Sequence, residues 1–305
     1  MMKIPLSEDS LPVFEAIASK TRIRIIELLS RHKMNLKELA DALSMSVPVV
    51  GRHVNVLEKS GIIKTERVPG KAGVQKRSIL KVDNIDIEFP NTLYTAYEST
   101  TQAIPVGHFD AFEVHPTCGL ATEEHMIGQD FDDPRYFMDP EKANAEILWF
   151  TQGYLEYRIP NLLKDNQQLQ MIDWAMEIGS EFPYSNNVWP SDITFSLNGT
   201  ELCTWESPGD FADVRGRFTP DWWPSDTNQY GTFITIRISD AGVYVNNQKL
   251  STLPISQLND TAPLWNLRMA VKKDAVHVGG LTLYGKGFGN YDQDMQFVTY
   301  YTSKD

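Results

Sequence analysis

The stretch SMSVPVVGRHVNVLEKSGII, residues 44–63, decides how the N-terminal part of the chain is read. Ser46 is a residue type that caps helix N-termini, and Pro48 two positions later is tolerated in a first helical turn. Val50, Val54 and Leu57 recur at i, i+4 and i+7, which predicts one buried helical stripe. Gly61 suits the positive φ that ends many helices. Ser46, Val47, Val49, Arg52, His53 and Asn55 fall away from that stripe and form the other side of the helix.

Working outward, the preceding residues predict three more helices. The first starts near Ser7–Ser10 and buries Val13, Phe14, Ile17 and Ala18. The second follows Thr21 and turns Ile25, Ile26, Leu28 and Leu29 inward. In NLKEL, Asn35 and Glu38 have capping-box spacing, so a third helix begins there and buries Leu36, Leu39, Ala40 and Leu43. After Gly61, IIKTERV and VQKRSILKV flank the turn PGKAG and predict a β-hairpin. Lys64, Arg67, Lys71, Lys76 and Arg77 lie along it. Helix, tight turn, second helix and basic hairpin make a winged helix-turn-helix, whose second helix enters a DNA groove. The six outward residues of that helix are therefore candidates for base or phosphate contact. Arg52 suits guanine or phosphate, whereas His53 is equally readable as a structural histidine. The hairpin cations suit phosphate, which gives affinity without sequence information.

Charge agrees with this division. The chain of 305 residues has a formal charge of −12. Residues 1–82 hold 15 Lys and Arg against 8 Asp and Glu, a net of +7, and the remainder nets −19. A basic head on an acidic body fits a nucleic-acid module joined to something else.

KTRIRIIELLS and LKELADALSMSVPVVGRHVNVLEKSGII resemble the second helix and the helix-turn-helix of ArsR-type bacterial regulators. The resemblance covers roughly the first 85 residues. It implies a winged-helix fold, operator DNA as partner, and a homodimer whose paired helices read half-sites about one DNA turn apart. Two departures matter. Many of these regulators bind metal through cysteines on the third helix, but LKELADAL has neither Cys nor His, so metal sensing is not carried over. Gly51 stands where the family usually shows Ser or Thr, at a cost of about 1 kcal/mol in helix propensity.

Bulk properties limit the rest. Apolar content of 42% and charged content of 22% are ordinary for a soluble protein. There is no ~18-residue apolar run for a membrane helix, and MMKIPLSEDS lacks the apolar core of a secretory signal. Two cysteines, Cys118 and Cys203, are too few for a disulfide framework, so a cytoplasmic location is expected.

Residues 86–104 read as a linker after a domain of residues 1–85, with LYTAYESTTQ as a short helix. From residue 105 to 305 the pattern is strands. AEILWFTQGYLEYRIP, residues 145–160, reads as a hairpin turning at Gly153. Ile172, Trp174, Met176 and Ile178 alternate, as do Ile193, Phe195 and Leu197, followed by an Asn198-Gly199 turn. Ile234, Ile236 and Ile238 alternate, and so do Trp265, Leu267, Met269 and Val271. VYVNNQKL reads as a further hairpin, and a helical pattern is confined to DPEKAN. The expected class is α+β in two domains: a winged helix-turn-helix, then an antiparallel, jelly-roll-like β-sandwich.

Three inter-strand segments are rich in Trp, Asp, Asn and Arg. They supply Trp189, Asp192, Trp205, Asp210, Arg215, Arg217, Trp222, Trp223, His277, Asn290 and Tyr291 as candidate ligand-binding residues. Aromatic faces beside carboxylates and guanidinium groups suit sugar rings and hydroxyls, and the architecture loosely resembles carbohydrate-binding modules. For each, the plainer role is core packing or turn formation. HPTCGLATEEH gathers His115, Cys118, Glu123, Glu124 and His125 without a second cluster, so no metal site is expected. No nucleophile elbow or HExxH appears, and HVGGLTLYGKGFGN is no dinucleotide fingerprint. The expectation is a non-enzymatic regulator whose sandwich senses a small effector, with a sugar or oligosaccharide favoured and no cofactor. The rivals are a sandwich that is a carbohydrate-active enzyme, or one used only for oligomerisation or docking.

Overall fold

The computed structural model describes residues 2–30, 32–70, 73–82, 84–88, 97–130 and 132–303; the side chains of residues 67–70, 73–75 and 88 lie outside that description. The chain divides into two compact units, Met1–Ala96 and Tyr97–Asp305.

Unit 1 runs β1 (Met2–Pro5), α1 (Leu11–Ile17), α2 (Lys20–Leu29), β2 (Met34–Asn35), α3 (Leu36–Leu43), α4 (Val47–Lys59), β3 (Ile63–Gly70), β4 (Gly73–Leu80) and β5 (Ile85–Glu88). The capping box at the start of α3 is complete: Asn35 Oδ1 accepts from the Lys37 and Glu38 amides, and Glu38 Oε2 accepts from the Asn35 amide. Ser44, left-handed at φ 54°, turns the chain from α3 into α4. Ser46 takes the N-cap backbone position of α4 but makes no side-chain cap, and Pro48 occupies the first turn. Val50, Val54 and Leu57 are all buried in the unit 1 core. Each such side chain stabilises the fold by about 1.5–3 kcal/mol. Gly61 has the expected positive φ of 78°. On α1 the buried alanine is Ala16 rather than Ala18, because the helix ends at Ile17 and Ala18 is exposed beyond it.

β3 and β4 form the expected hairpin, and β2 adds a third strand to give the order β2-β4-β3. A second pairing was not expected from the sequence: β5 lies parallel to β1, Ile4 opposite Ile87. So the start of the expected linker, residues 86–104, belongs to unit 1. Its end belongs to unit 2, where Glu98–Ile104 is a strand and not a helix. β-branched Thr100, Thr101 and Ile104 fit a pleated surface better than a short helix.

Unit 2 contains β6 (Glu98–Ile104), β7 (Ala111–Ala121), β8 (Ile147–Pro160), β9 (Gln167–Gly179), β10 (Ser191–Leu197), β11 (Thr200–Ser207), β12 (Thr232–Ser239), β13 (Gly242–Val245), β14 (Gln248–Ser251), β15 (Leu264–Val271), β16 (Leu281–Tyr284) and β17 (Met295–Ser303). The pairing is antiparallel throughout. One layer has the order β7-β8-β15-β10-β11 and the other β6-β17-β9-β12-β13-β14. β16 joins them by pairing with β8 and with β9, so the sheet is nearly closed. DPEKAN becomes a 3-10 turn, Pro140–Asn144.

The alternating residues meet between the layers. Trp174, Ile193, Phe195, Ile236, Trp265, Leu267 and Phe297 are all fully buried. Asn198 and Gly199 both have positive φ and close the β10–β11 hairpin, as expected. The hairpin expected at Gly153 does not form. β8 is one continuous strand, and Gly153 (φ 124°) marks where β7 crosses close to it; a Cβ there would sit 1.8 Å from the Glu113 carbonyl oxygen. A glycine inside a strand pattern signals close backbone approach as readily as a turn.

Candidate functional site

In unit 1 the inner stripe of α4 fixes what its outer side presents. Ser46, Val47, Arg52 and Asn55 are exposed, and Val49 and His53 are half-buried. Among the wing residues, Lys64 and Lys76 are exposed and Arg77 is half-buried, with its Nε enclosed. Lys64 pairs with Glu66 at 2.8 Å, and that cation holds the Glu66 carboxyl below its ordinary range. Lys71 and the side chain of Arg67 lie outside the described residues. Asn55 and Lys76 share a groove of about 260 Å³ between α4 and the wing, together with Leu36, Val54, Glu58, Thr65 and Ser78. Glu58, which the sequence reading passed over, accepts the Thr65 amide at 3.1 Å and so ties helix to wing.

The family model described as "Bacterial regulatory protein, arsR family" matches residues 19–65, the segment from α2 into β3. An uncharacterized HTH-type transcriptional regulator of Methanocaldococcus jannaschii is 31% identical over 61 residues, 20% of this chain and 68% of that protein. The chain belongs to the ArsR family. The transcriptional repressor SdpR of Bacillus subtilis is 33% identical over 55 residues, 18% of this chain and 61% of its own length. A crystal structure of an ArsR family transcriptional regulator is 28% identical, covering 26% of this chain and 77% of that one at a TM-score of 0.22. The M. jannaschii and B. subtilis matches each account for about a fifth of the chain or less, so the family identity of this ArsR-type regulator resides in its DNA-binding domain.

Unit 2 brings the eleven candidate residues to one end of the sandwich. β9 and β15 end there, at Gly179 and Val271, and β10, β12 and β16 begin there, at Ser191, Thr232 and Leu281. The segments at residues 180–190, 208–231, 272–280 and 285–294 all leave from this rim. On the rim the candidates form separate groups.

Asp210 is fully buried. Its Oδ2 accepts the Phe182 amide at 3.2 Å, while its Oδ1 has no partner among the described residues. Burial pushes its pKa up to about 8. Beside it, buried Glu181 accepts from Thr117 Oγ1 at 2.8 Å, Asn228 Nδ2 at 2.7 Å and Thr282 Oγ1 at 3.3 Å. Burial first, and the neighbouring Asp210 charge second, raise Glu181 well above the carboxylate range. Trp189 packs edge-on to Phe182, with its indole nitrogen buried. The sequence reading missed Glu181, Asn228 and Thr282. Strand alternation from Ile178 points Glu181 outward, but Thr117, Asn228 and Thr282 close around its carboxylate, and its amide donates to the Gly279 carbonyl at 2.8 Å.

Trp223 is a core residue and not a platform: it is enclosed by Trp149, Trp222 and Phe288. Trp205 packs against the main core opposite Ile193. Arg215 donates to the carbonyls of Pro220 (2.6 Å) and Trp223 (3.3 Å), so it holds its own loop together. Asn290 Oδ1 accepts the Arg217 amide, and the Asn290 and Tyr291 amides donate to buried Glu177. Gly289 (φ 72°) is required here, since a Cβ would lie 2.5 Å from the Glu177 carboxylate. Trp222, Arg215 and Arg217 remain exposed at the rim. Trp222 also donates its indole N–H to the Glu123 carbonyl at 2.6 Å.

Asp192 and His277 come together, and Glu206 joins them. The HPTCGLATEEH residues do not converge. His115 approaches Glu113 and His125 approaches Glu141, while Cys118 is buried with its thiol pushed up to about 12 by burial. Among the described residues no helix is long and apolar enough to cross a membrane.

Proposed function

We propose that the chain is a cytoplasmic transcriptional regulator that reads operator DNA with α4 and the β3–β4 wing, and that unit 2 senses a small polyhydroxylated effector, a sugar or oligosaccharide. The DNA reading is carried by one observation: α4 buries an entire apolar stripe and leaves Arg52 and Asn55 exposed on its other side. A helix so presented fits the major groove, where Arg reads guanine and Asn reads adenine. Lys64 and Lys76 supply phosphate contacts on the wing.

Two copies are needed to span two half-sites one DNA turn apart. Leu6, Leu11 and Ile23 of unit 1 are exposed apolar side chains that a second copy would cover. The effector reading is supported by the convergence on one rim of candidate residues spread from 189 to 291. Trp222 offers an aromatic edge there, with Arg215 and Arg217 as exposed polar neighbours in the same segment. An effector controls DNA affinity only by preferring one arrangement of the regulator over another.

The test is a thermal-shift screen of the full chain against a panel of mono- and oligosaccharides, followed by a gel shift on promoter DNA with and without any hit. Saturable stabilisation together with altered operator affinity is the expected outcome. DNA binding without any sugar-dependent shift would remove the effector half of the reading and leave the operator half standing.

A further inference from the structure

The structure assigns unit 2 a divalent-metal site built from Asp192, Glu206 and His277, and we propose that it takes zinc or a similar first-row ion. The proposal stands apart from the sugar reading and departs from the sequence expectation of no metal.

Asp192 on β10 and Glu206 on β11 are direct cross-strand partners in the antiparallel ladder. Like charges placed opposite one another destabilise a strand pair unless a cation sits between them. His277 arrives from the 272–280 segment and is fixed by its main chain. Its amide donates to Asp192 Oδ2 at 3.0 Å, and its carbonyl accepts the Asp192 amide at 2.9 Å. Those two bonds hold the ring over the carboxylate pair and leave Asp192 Oδ1 turned to it. His277 Nδ1 lies 3.3 Å from Asp192 Oδ1 and 3.3 Å from Glu206 Oε2. All three donor atoms fall within 4.8 Å of one another. Ligands about 2.0 Å from a tetrahedral zinc are separated by about 3.3 Å along each edge. The two Nδ1–oxygen separations match that edge.

The donor set also favours this class of ion. Imidazole selects zinc, nickel, copper or iron over calcium and magnesium, and carboxylates complete the charge. The site is half-sheltered, with side-chain exposures of 17% for Asp192, 39% for His277 and 60% for Glu206. Three protein donors leave one tetrahedral position for an oxygen ligand from solvent. The thiols play no part. Cys203, on β11 three residues before Glu206, is buried, with its thiol raised to about 12.

The test uses the full chain stripped with chelator and titrated with Zn²⁺ against a chromophoric competitor, with Co²⁺ as the spectroscopic probe. The expected result is one zinc per chain, and a visible Co²⁺ band of four-coordinate intensity. Glu206→Gln and His277→Ala should each weaken zinc at least about 10-fold. Glu206 lies at an exposed strand end opposite Asp192, so the metal-free melting temperature of Glu206→Gln should not fall, which separates lost ligation from lost fold. Absence of a saturable single equivalent, or an affinity that both variants leave intact, would overturn the site and leave His277 as a plain hydrogen-bonding neighbour of Asp192.

Discussion

The outer side of α4 and the rim of the sandwich both carry candidate polar residues, but they carry them differently. On α4, packed and exposed positions occupy opposite sides of one helix: Val50, Val54 and Leu57 pack, while Arg52 and Asn55 stand in solvent. On the rim the same residue types are split between packing and exposure. Asp210 and Trp223 are buried, Arg215 ties its own loop, and the Asn290 and Tyr291 amides hold a buried carboxylate. A helix segregates by periodicity, so each position has one role. A rim made of long connections must satisfy its own buried backbone and polar groups before it can present any to a ligand.

Substitutions should therefore separate into those that move stability and those that move binding. The largest stability effect is expected in the sandwich core. Trp265→Ala removes a fully buried side chain and should cost about 3–5 kcal/mol. The two units have separate cores, so calorimetry should show the unit 2 transition falling while the unit 1 transition stays. Both falling together would show that the units unfold as one.

Asp210 carries the next effect. The unfolded chain releases this proton in the ordinary carboxylate range, while the folded protein holds it to about pH 8. Between those values the folded state binds more protons, so stability falls as pH rises, by up to about 1.4 kcal/mol per pH unit from this group. Glu181 is shifted in the same direction. The unit 2 melting temperature should thus decline from pH 5 to pH 8, and Asp210→Asn should flatten that decline. A slope that the variant leaves unchanged would place the titration elsewhere.

Arg52→Ala belongs to the other class. It should weaken operator binding by about 1–3 kcal/mol, roughly 5- to 150-fold, with no change in melting temperature. An unchanged gel-shift affinity would remove α4 as the reader. Lys76→Ala should weaken binding evenly across sequences and reduce the salt slope by about one.

The same contrast explains what was legible in the sequence. Caps, stripe and stop placed α3 and α4 because each signal lies within a few residues of what it controls. Asn35 and Glu38 complete their box three positions apart. Strand alternation placed the sandwich core for the same reason. The rim was read in part: composition picked the segments that converge, but it could not separate Trp222, which is exposed, from Trp223, which is enclosed by rings from residues 149 and 288. Glu181 and Glu206 were invisible because their partners are distant in the chain: Thr117, Asn228 and Thr282 for Glu181, and His277 for Glu206. Gly153 misled for a related reason, since the strand that demands its missing side chain starts some forty residues earlier.

The smallest effect sharpens the division on α4 itself. Gly51 sits mid-helix between buried Val50 and exposed Arg52, and a Cβ there meets nothing within 4 Å. Its φ is not among the positive ones, so alanine fits the helical backbone. Gly51→Ala should raise unit 1 stability by about 0.5–1 kcal/mol. If glycine serves only as a weak helix former, operator affinity will not change. If the bare backbone lets α4 approach the groove closely, the more stable variant will bind DNA less tightly. Chemical denaturation and gel shift on the same preparation separate these outcomes, and the second would place recognition at a position where the helix gives up stability to achieve it.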